Sequence, residues 1–397
     1  MLIDIAKDIL KNKHLCNHCL GRQFAQILSG LTNEERGKFV RHVLAFEYSV
    51  KPFPIDISNF YGLDFRSKKI QTKQKKCDIC NDIFKTLDIL LEKTTKKIKE
   101  IEFKTFVIGT KLSKELIGKE ESLWEECGIE YCEPLKSEIN REFGKLFQKT
   151  TKKEVDEENP DVTIILDFST NNINAQISSL YFYGKYKKLV RGIPQTKWEK
   201  YKITIEDIIA KPFMLMTKGN AHALHGAGRE DIDARCLDWR PFVLEINNPK
   251  IRKIDIKKTE KTINKTKKVL VSGLRPSNRK EVVKVKNLQP DKTYRVLVEF
   301  EKPIKEINLK RLTGTIKQHT PKRVLHRRAD KLRLKKVKTI KWKKITGKKL
   351  EFIIRGEAGL YVKEFITGDD GRTKPSVAEL LNSKAKVKEL DVIKIHL

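Results

Sequence analysis

The sequence predicts an α+β protein of two domains, 1–155 and 156–397. Apolar residues recur near helical spacing through much of the first 150 positions, and compact strand-like runs dominate after position 160. Between them lies a charged, poorly periodic segment, 150–160, that ends in Pro160. A chain of 397 residues is long enough for two or three cores.

Positions 1–50 read as helices interrupted by a Cys-x-x-Cys turn. Ile83, Phe84, Leu87, Leu90 and Leu91 predict a helix over 82–99, followed by a strand at 105–110 and a helix at 134–149. Beyond the seam, 162–168, 173–183, 242–246, 293–301, 352–354 and 392–395 read as strands, the fourth by strict alternation. Helices are expected over 205–216, 305–316 and 375–384, which makes the second domain an α+β unit with a mixed, mostly antiparallel sheet.

The formal charge is +32, and it is unevenly placed: positions 251–350 hold 34 Lys and Arg against 8 Asp and Glu. A polyanion is therefore the expected partner of the C-terminal half. No amphipathic Trp/Leu-faced helix accompanies the charge, so nucleic acid is favoured over an anionic membrane. The start of the chain carries acids and no apolar core of a signal peptide, and no apolar run approaches the roughly 20 residues of a membrane span. A soluble, cytoplasmic protein is expected. Neither a Gly-rich dinucleotide fingerprint nor a phosphate-binding loop is present, so no organic cofactor is expected.

Cys16-Asn17-His18-Cys19 and Cys77-Asp78-Ile79-Cys80 are matched Cys-x-x-Cys pairs. Two such pairs complete a tetrahedral four-sulfur site, which leaves no open position and so suits structural Zn²⁺. The alternative is a redox pair or two unrelated turns, but neither pair sits on a βαβ unit. His14 and His18 are neighbours rather than ligands, and Cys127, Cys132 and Cys236 read as small buried residues.

The stretch Gly226-Ala227-Gly228-Arg229-Glu230-Asp231-Ile232-Asp233-Ala234-Arg235 makes a poor helix and a poor core strand. It reads as a tight loop presenting carboxylates, with Arg229 and Arg235 keeping the acids ionised. On the residues alone, a solvated polar loop or an Arg–Asp structural brace is the favoured reading.

Gly228-Arg229-Glu230-Asp231, followed by Asp233, Arg235 and Arg240-Pro241-Phe242, resembles the catalytic loop of the archaeal and eukaryotic pseudouridine synthase ten family. Further motifs agree in order. The run from Arg191 to Trp198 resembles that family's RNA-embracing loop. Lys317–Val324 with His326–Asp330 resembles its basic thumb loop, and Gly359–Phe365 with Gly371–Ser376 its closing motif. The paired cysteines resemble its zinc-bearing N-terminal domain, an α/β accessory domain with a THUMP-like part.

The resemblance implies a tRNA pseudouridine synthase acting on T-loop uridine 54, 55 or both, with tRNA bound through its T-arm and no obligate protein partner. It assigns catalysis to Asp231, base stacking to Tyr294 and the counter-ion of the carboxylate to Lys363. RNA contacts fall to Arg191, Arg229, Arg323, Arg327, Arg328 and Arg372. An apolar pocket wall is expected from Ile366 or Val377. One departure is the short turn Leu237-Asp238-Trp239-Arg240, which lacks the family's glycine.

Isomerisation breaks the bond between ribose C1′ and uracil N1 and rejoins the base through C5. An ionised carboxylate serves it either by attacking C1′ or by taking a proton from C2′. The base must leave its stack, and an aromatic face replaces the lost stacking. Positions 317–344 carry 13 Lys and Arg with one acid, Asp330, and interspersed apolar residues predict a hairpin-like thumb that tracks phosphates. Two other readings remain: a non-catalytic tRNA-binding or RNA-chaperone protein of the same fold, and an RNA methyltransferase, which the missing cofactor loop disfavours.

Overall fold

The structure, a computed structural model, describes every residue except 1, 67–69, 71 and 305–307. The chain falls into two compact units, Met1–Ser178 and Ser179–Leu397.

In the first unit, helices Leu2–Leu10, Asn17–Gly21 and Asn33–Val50 precede Leu87–Ile98. The third begins with a capping box in which Thr32 and Glu35 satisfy each other's backbone N–H. Helices Asn17–Gly21 and Asn33–Val50 touch backbone to backbone: a Cβ on Gly21 would lie 1.8 Å from Asn33 O, and one on Gly37 1.9 Å from Asn17 O. Only glycine permits that approach. Strands Thr105–Lys111 (β1), Glu154–Val155 (β2), Val162–Asp167 (β3) and Asn172–Ile177 (β4) form a sheet in the order β2-β1-β3-β4. β1 and β3 are parallel, so the chain crosses between them through helices Lys114–Cys127 and Leu135–Thr151. Phe106 and Ile108 of β1 meet Phe143 and Phe147 of the second helix in the core.

The second unit carries a ten-stranded sheet among its described residues. Its strands are Leu180–Lys188 (β5), Ala221–Gly226 (β6), Ala234–Asn247 (β7), Val269–Ser277 (β8), Asp291–Phe300 (β9), Gly314–Gln318 (β10), Arg333–Lys344 (β11), Lys349–Gly356 (β12), Thr373–Lys374 (β13) and Ala385–His396 (β14). The order is β13-β10-β11-β12-β9-β14-β7-β5-β8, with β6 on β7. All pairs are antiparallel but β7–β14, where Ala234 faces Leu390. Phe182, Tyr186, Phe242 and Leu244 pack on helices Ile205–Thr217 and Ile256–Asn264. A second core gathers Val296, Val298, Phe300, Phe352 and Ile354 under the short helix Val362–Thr367. No helix among the described residues is long and apolar enough to cross a membrane.

The structure corrects four expectations. The boundary lies at 178/179, not 155/156, because 173–183 is two strands: β4 pairs with β3 and β5 with β7 and β8. The charged stretch 150–160 contributes β2 to the first sheet instead of ending it. The helix expected at 305–316 lies partly outside the described residues; the rest is a 3₁₀ turn, Lys310–Leu312, and then β10. The helix at 375–384 shrinks to Val377–Leu380. The basic run does form a hairpin, with β10 and β11 paired from Gly314↔Val337 to Gln318↔Arg333 around a 3₁₀ turn, Lys322–Arg327.

Candidate active site and cysteine cluster

Loop 227–233 joins β6 to β7, and side chains from the sheet and from the segment after β5 hold five of its seven carbonyls. Arg240 Nη1 donates to Ala227 O at 2.8 Å and Gln195 Nε2 to Gly228 O at 3.1 Å. The ammonium of Lys188 donates to Asp231 O and Ile232 O at 3.2 and 2.8 Å, and Arg191 Nη1 to Asp233 O at 2.8 Å. Buried Glu230 accepts from the Tyr186 hydroxyl at 3.0 Å and pairs with Arg240 Nε at 3.1 Å. Gly228 adopts φ +77°, and a Cβ there would come within 3.2 Å of Arg240 Nη1, so glycine lets the backbone cross closely over the guanidinium. A loop so tied presents its side chains at fixed positions.

Two acids point away from this brace. Asp231 accepts from Arg323 Nη1 at 3.2 Å, and its other oxygen lies 3.3 Å from Lys363 Nζ. Lys363 donates to both Asp233 oxygens, at 2.7 and 2.8 Å. Burial works against a charged Asp233, yet Lys363 outweighs it and holds that carboxyl below its ordinary range. Arg323 also donates from Nε to Glu364 at 2.7 Å, which fixes its guanidinium plane. Arg235, expected beside these acids, instead pairs with Asp391 at 2.8 and 3.0 Å.

Beside Asp231 opens a cleft of about 270 Å³ whose wall includes Arg229, Arg240, Lys292, Tyr294 and Lys363. Tyr294 is 8% exposed on β9, and burial raises its phenol to about 12, so it stays neutral at any working pH. Ile366 and Val377 are both fully buried and neither reaches the cleft, which corrects the expectation for the apolar wall. That wall is built from Val324, Leu360, Val362, Leu390 and Val392.

The six arginines expected on RNA separate into two groups. Arg229, Arg323, Arg327 and Arg328 line the cleft, with Arg327 lying 5.4 Å over the Trp198 ring and Arg328 donating to the Tyr361 hydroxyl at 3.2 Å. Arg191 and Arg372 are turned into the protein. The first donates to Leu390 O at 2.7 Å and meets Asp391 at 2.7 Å; the second donates to Thr320 O at 3.0 Å and pairs with Asp330. The Leu237–Trp239 stretch is accommodated as a bulge. Tyr186 faces Arg240 and Lys188 faces Cys236, and Lys187 covers the Trp239 ring at 4.6 Å.

Sequence reading passed over Lys188 and Lys292, buried lysines at 0% and 7% exposure. Their signal was parity: Lys188 shares the inward side of β5 with Phe182 and Tyr186, and Lys292 that of β9 with Tyr294, Val296 and Val298. A lysine on the apolar parity of a strand marks a buried ammonium.

In the first unit, Cys16, Cys19, Cys77 and Cys80 place their sulfurs within 4.8 Å of one another. Four thiolates about a zinc at 2.3 Å stand about 3.8 Å apart, and the Cys16 and Cys80 sulfurs are 3.6 Å apart. Backbone N–H groups of Cys16 and Cys19 donate to Cys77 and Cys16 sulfur, as thiolate ligands require. The set fits a structural metal. His14 and His18 stay outside it, bonded to Ser58 Oγ at 2.9 Å and Glu138 Oε1 at 2.8 Å. Cys236 is buried as expected, whereas Cys127 and Cys132 are only partly so.

A family model described as Pus10, C-terminal, matches residues 181–396, and one described as Pus10 THUMP domain, archaeal, matches residues 90–167. Relatives named tRNA pseudouridine synthase Pus10 match over nearly the whole chain. The protein from Methanocaldococcus jannaschii is 42% identical, covering 98% of this chain and 93% of its own. That from Methanothrix thermoacetophila is 37% identical over 99% and 94%, and that from Pyrococcus furiosus 36% identical over 100% and 98%.

Proposed function

The chain belongs to the Pus10 family, and on that premise we propose that it is an isomerase that converts uridine to pseudouridine in tRNA with Asp231 as the acting carboxylate. The observation that carries the reading is the placement of Asp231. A braced loop sets it at the mouth of a cleft, between Arg323 and Lys363, with Tyr294 in the wall.

Either chemical route needs a carboxylate held at a fixed place, and the two cations, 3.2 and 3.3 Å from its oxygens, hold it there. Asp231 bonds to C1′ or removes the C2′ proton; in both, the C1′–N1 bond breaks and its electron pair leaves with the base. The base turns and C5 joins C1′, which releases Asp231 from C1′ or returns the proton to C2′; C5 then loses its proton and N1 gains one. No net oxidation occurs. Tyr294, held neutral, offers its ring to the flipped base. Arg229, Arg327 and Arg328 reach phosphates, whereas Arg191 and Arg372 act by bracing the elements that carry the site. We place the target in the T-loop, at position 54, 55 or both, and the T-arm against the basic hairpin.

Residues 1–178 are then the accessory RNA-binding unit, and 179–397 the catalytic one. Zn²⁺ held by Cys16, Cys19, Cys77 and Cys80 would supply no chemistry beyond tying two segments together. Incubation of the protein with an unmodified tRNA transcript, followed by pseudouridine mapping, tests the reading. A modified T-loop uridine is expected; an RNA that is bound but never modified would mean a tRNA-binding protein instead.

A further inference from the structure

Beneath the loop that carries Asp231 lie, besides Lys188, two further buried cations and one buried acid. Arg240 Nε lies 3.1 Å from Glu230 as an ion pair, but neither Nε nor Nη2 has a hydrogen-bond partner, and both side chains are fully buried. Lys292 lies beside Arg240. The pair meets at Gly228, where a Cβ would stand 3.2 Å from Arg240 Nη1 and 3.6 Å from Lys292 Nζ. The Lys292 ammonium donates only to Pro290 O, at 3.3 Å, and no carboxylate among the described residues pairs with it. An unpaired ammonium at 7% exposure is expensive to maintain, and these two residues line the same cleft as Asp231 and Tyr294.

Resting on the function proposed above, we infer that Lys292 is a further catalytic residue. Its ammonium, backed by the Arg240 guanidinium, receives a uracil carbonyl oxygen and stabilises the negative charge the base acquires when the C1′–N1 bond breaks. The electron pair of that bond passes to N1 and spreads onto O2 and O4. It returns to C1′ through C5, so the charge exists only between the two steps. Fixed positive groups in a site screened from water are worth most for such transient charge. The ammonium is in keeping with this role. Burial, then Arg240, lower it to about 8, against the opposing pull of Cys236, Asp291 and Glu230. An anionic base would restore its full charge.

The test compares wild type, Lys292→Met and Lys292→Arg on an unmodified tRNA transcript at saturating enzyme, with tRNA affinity and melting temperature measured alongside. Lys292→Met should lower the single-turnover rate about 10²- to 10³-fold while tRNA affinity stays within about threefold. Its melting temperature should hold or rise, because a buried unpaired cation has been replaced by an apolar chain of similar length. Lys292→Arg should recover part of the rate. In wild type, kcat/KM should decline as pH rises through about 8, a decline that Lys292→Arg moves upward. A Lys292→Met rate within about threefold of wild type overturns the inference, as does a loss matched by lower melting temperature and lower affinity. Wild type that makes no pseudouridine at all would instead remove the reading on which the inference stands.

Discussion

The ammonium of Lys363 lies 2.7 Å from Asp233 and 3.3 Å from Asp231, so it bridges the two acids and sits nearer the one to which no chemistry is assigned. Asp233 thus draws on the counter-ion that Asp231 uses. Asp233→Asn leaves Lys363 to Asp231 alone and should keep the single-turnover rate within about tenfold of wild type, with tRNA affinity unchanged. Complete loss in a well-folded Asp233→Asn protein would move the chemistry to Asp233.

Asp231 has a second cation, Arg323, 3.2 Å away and anchored by Glu364. Lys363→Ala should therefore slow turnover about 10- to 100-fold without abolishing it. Adding Arg323→Ala should remove most of what remains. If Lys363→Ala alone equals the double variant, Arg323 contributes nothing to the carboxylate.

The basic hairpin makes a salt-dependent prediction. Arg327→Ala with Arg328→Ala should weaken binding to many RNAs alike and make log K against log salt shallower by up to about one unit per lost phosphate contact. An unchanged slope would leave Arg327 and Arg328 as partners of Trp198 and Tyr361 only.

Protein purified without added metal should contain about one zinc per chain on four sulfurs. Chelation or Cys77→Ser should lower the melting temperature and tRNA affinity, yet leave residual chemistry at Asp231. A metal-free protein of unchanged stability would count against the site.

Asp391 is fully buried and gathers Arg191, Arg235 and Arg295 at 2.7 to 2.8 Å. Burial opposes its charge, but Arg235 and Arg295 prevail and bring it to about 2 from 3.8. A depressed carboxyl stabilises the fold above its unfolded value and loses that contribution as pH falls through the folded one. About 2 kcal/mol should disappear between pH 4 and pH 2. Asp391→Asn should show a flatter acid limb and lower stability at pH 7, read by thermal melts across pH; an unaltered limb would mean that other acids set it.

Local patterns were legible in the sequence where one periodicity held. The alternation of 293–301 placed Tyr294 on the inward side of β9 and also exposed Lys292 on that side, a signal passed over. Leu309, Leu312 and Ile316 mimicked a helix because their spacing suits one, although Gly314, at φ +107°, breaks the chain between turn and strand. Apolar continuity across 173–183 hid the boundary at Ser178 and Ser179, since both flanking strands are half-buried and no Pro or Gly separates them. Long-range convergence was invisible: Arg323, assigned to RNA by resemblance, meets Asp231 from 92 positions away. Spacing within one motif cannot encode such a meeting; the order of β7, β14, β9 and the hairpin creates it.

Asp231→Asn bears most directly on the chemistry, because it preserves shape and removes only the charge. Wild type and variant should be compared in single turnovers at saturating enzyme on an unmodified transcript bearing the T-arm, with pseudouridine mapped at each T-loop uridine. Wild type should convert at least one of them, while Asp231→Asn converts none and binds tRNA within about threefold of wild type. Robust pseudouridine formation by Asp231→Asn would contradict the assignment of the carboxylate.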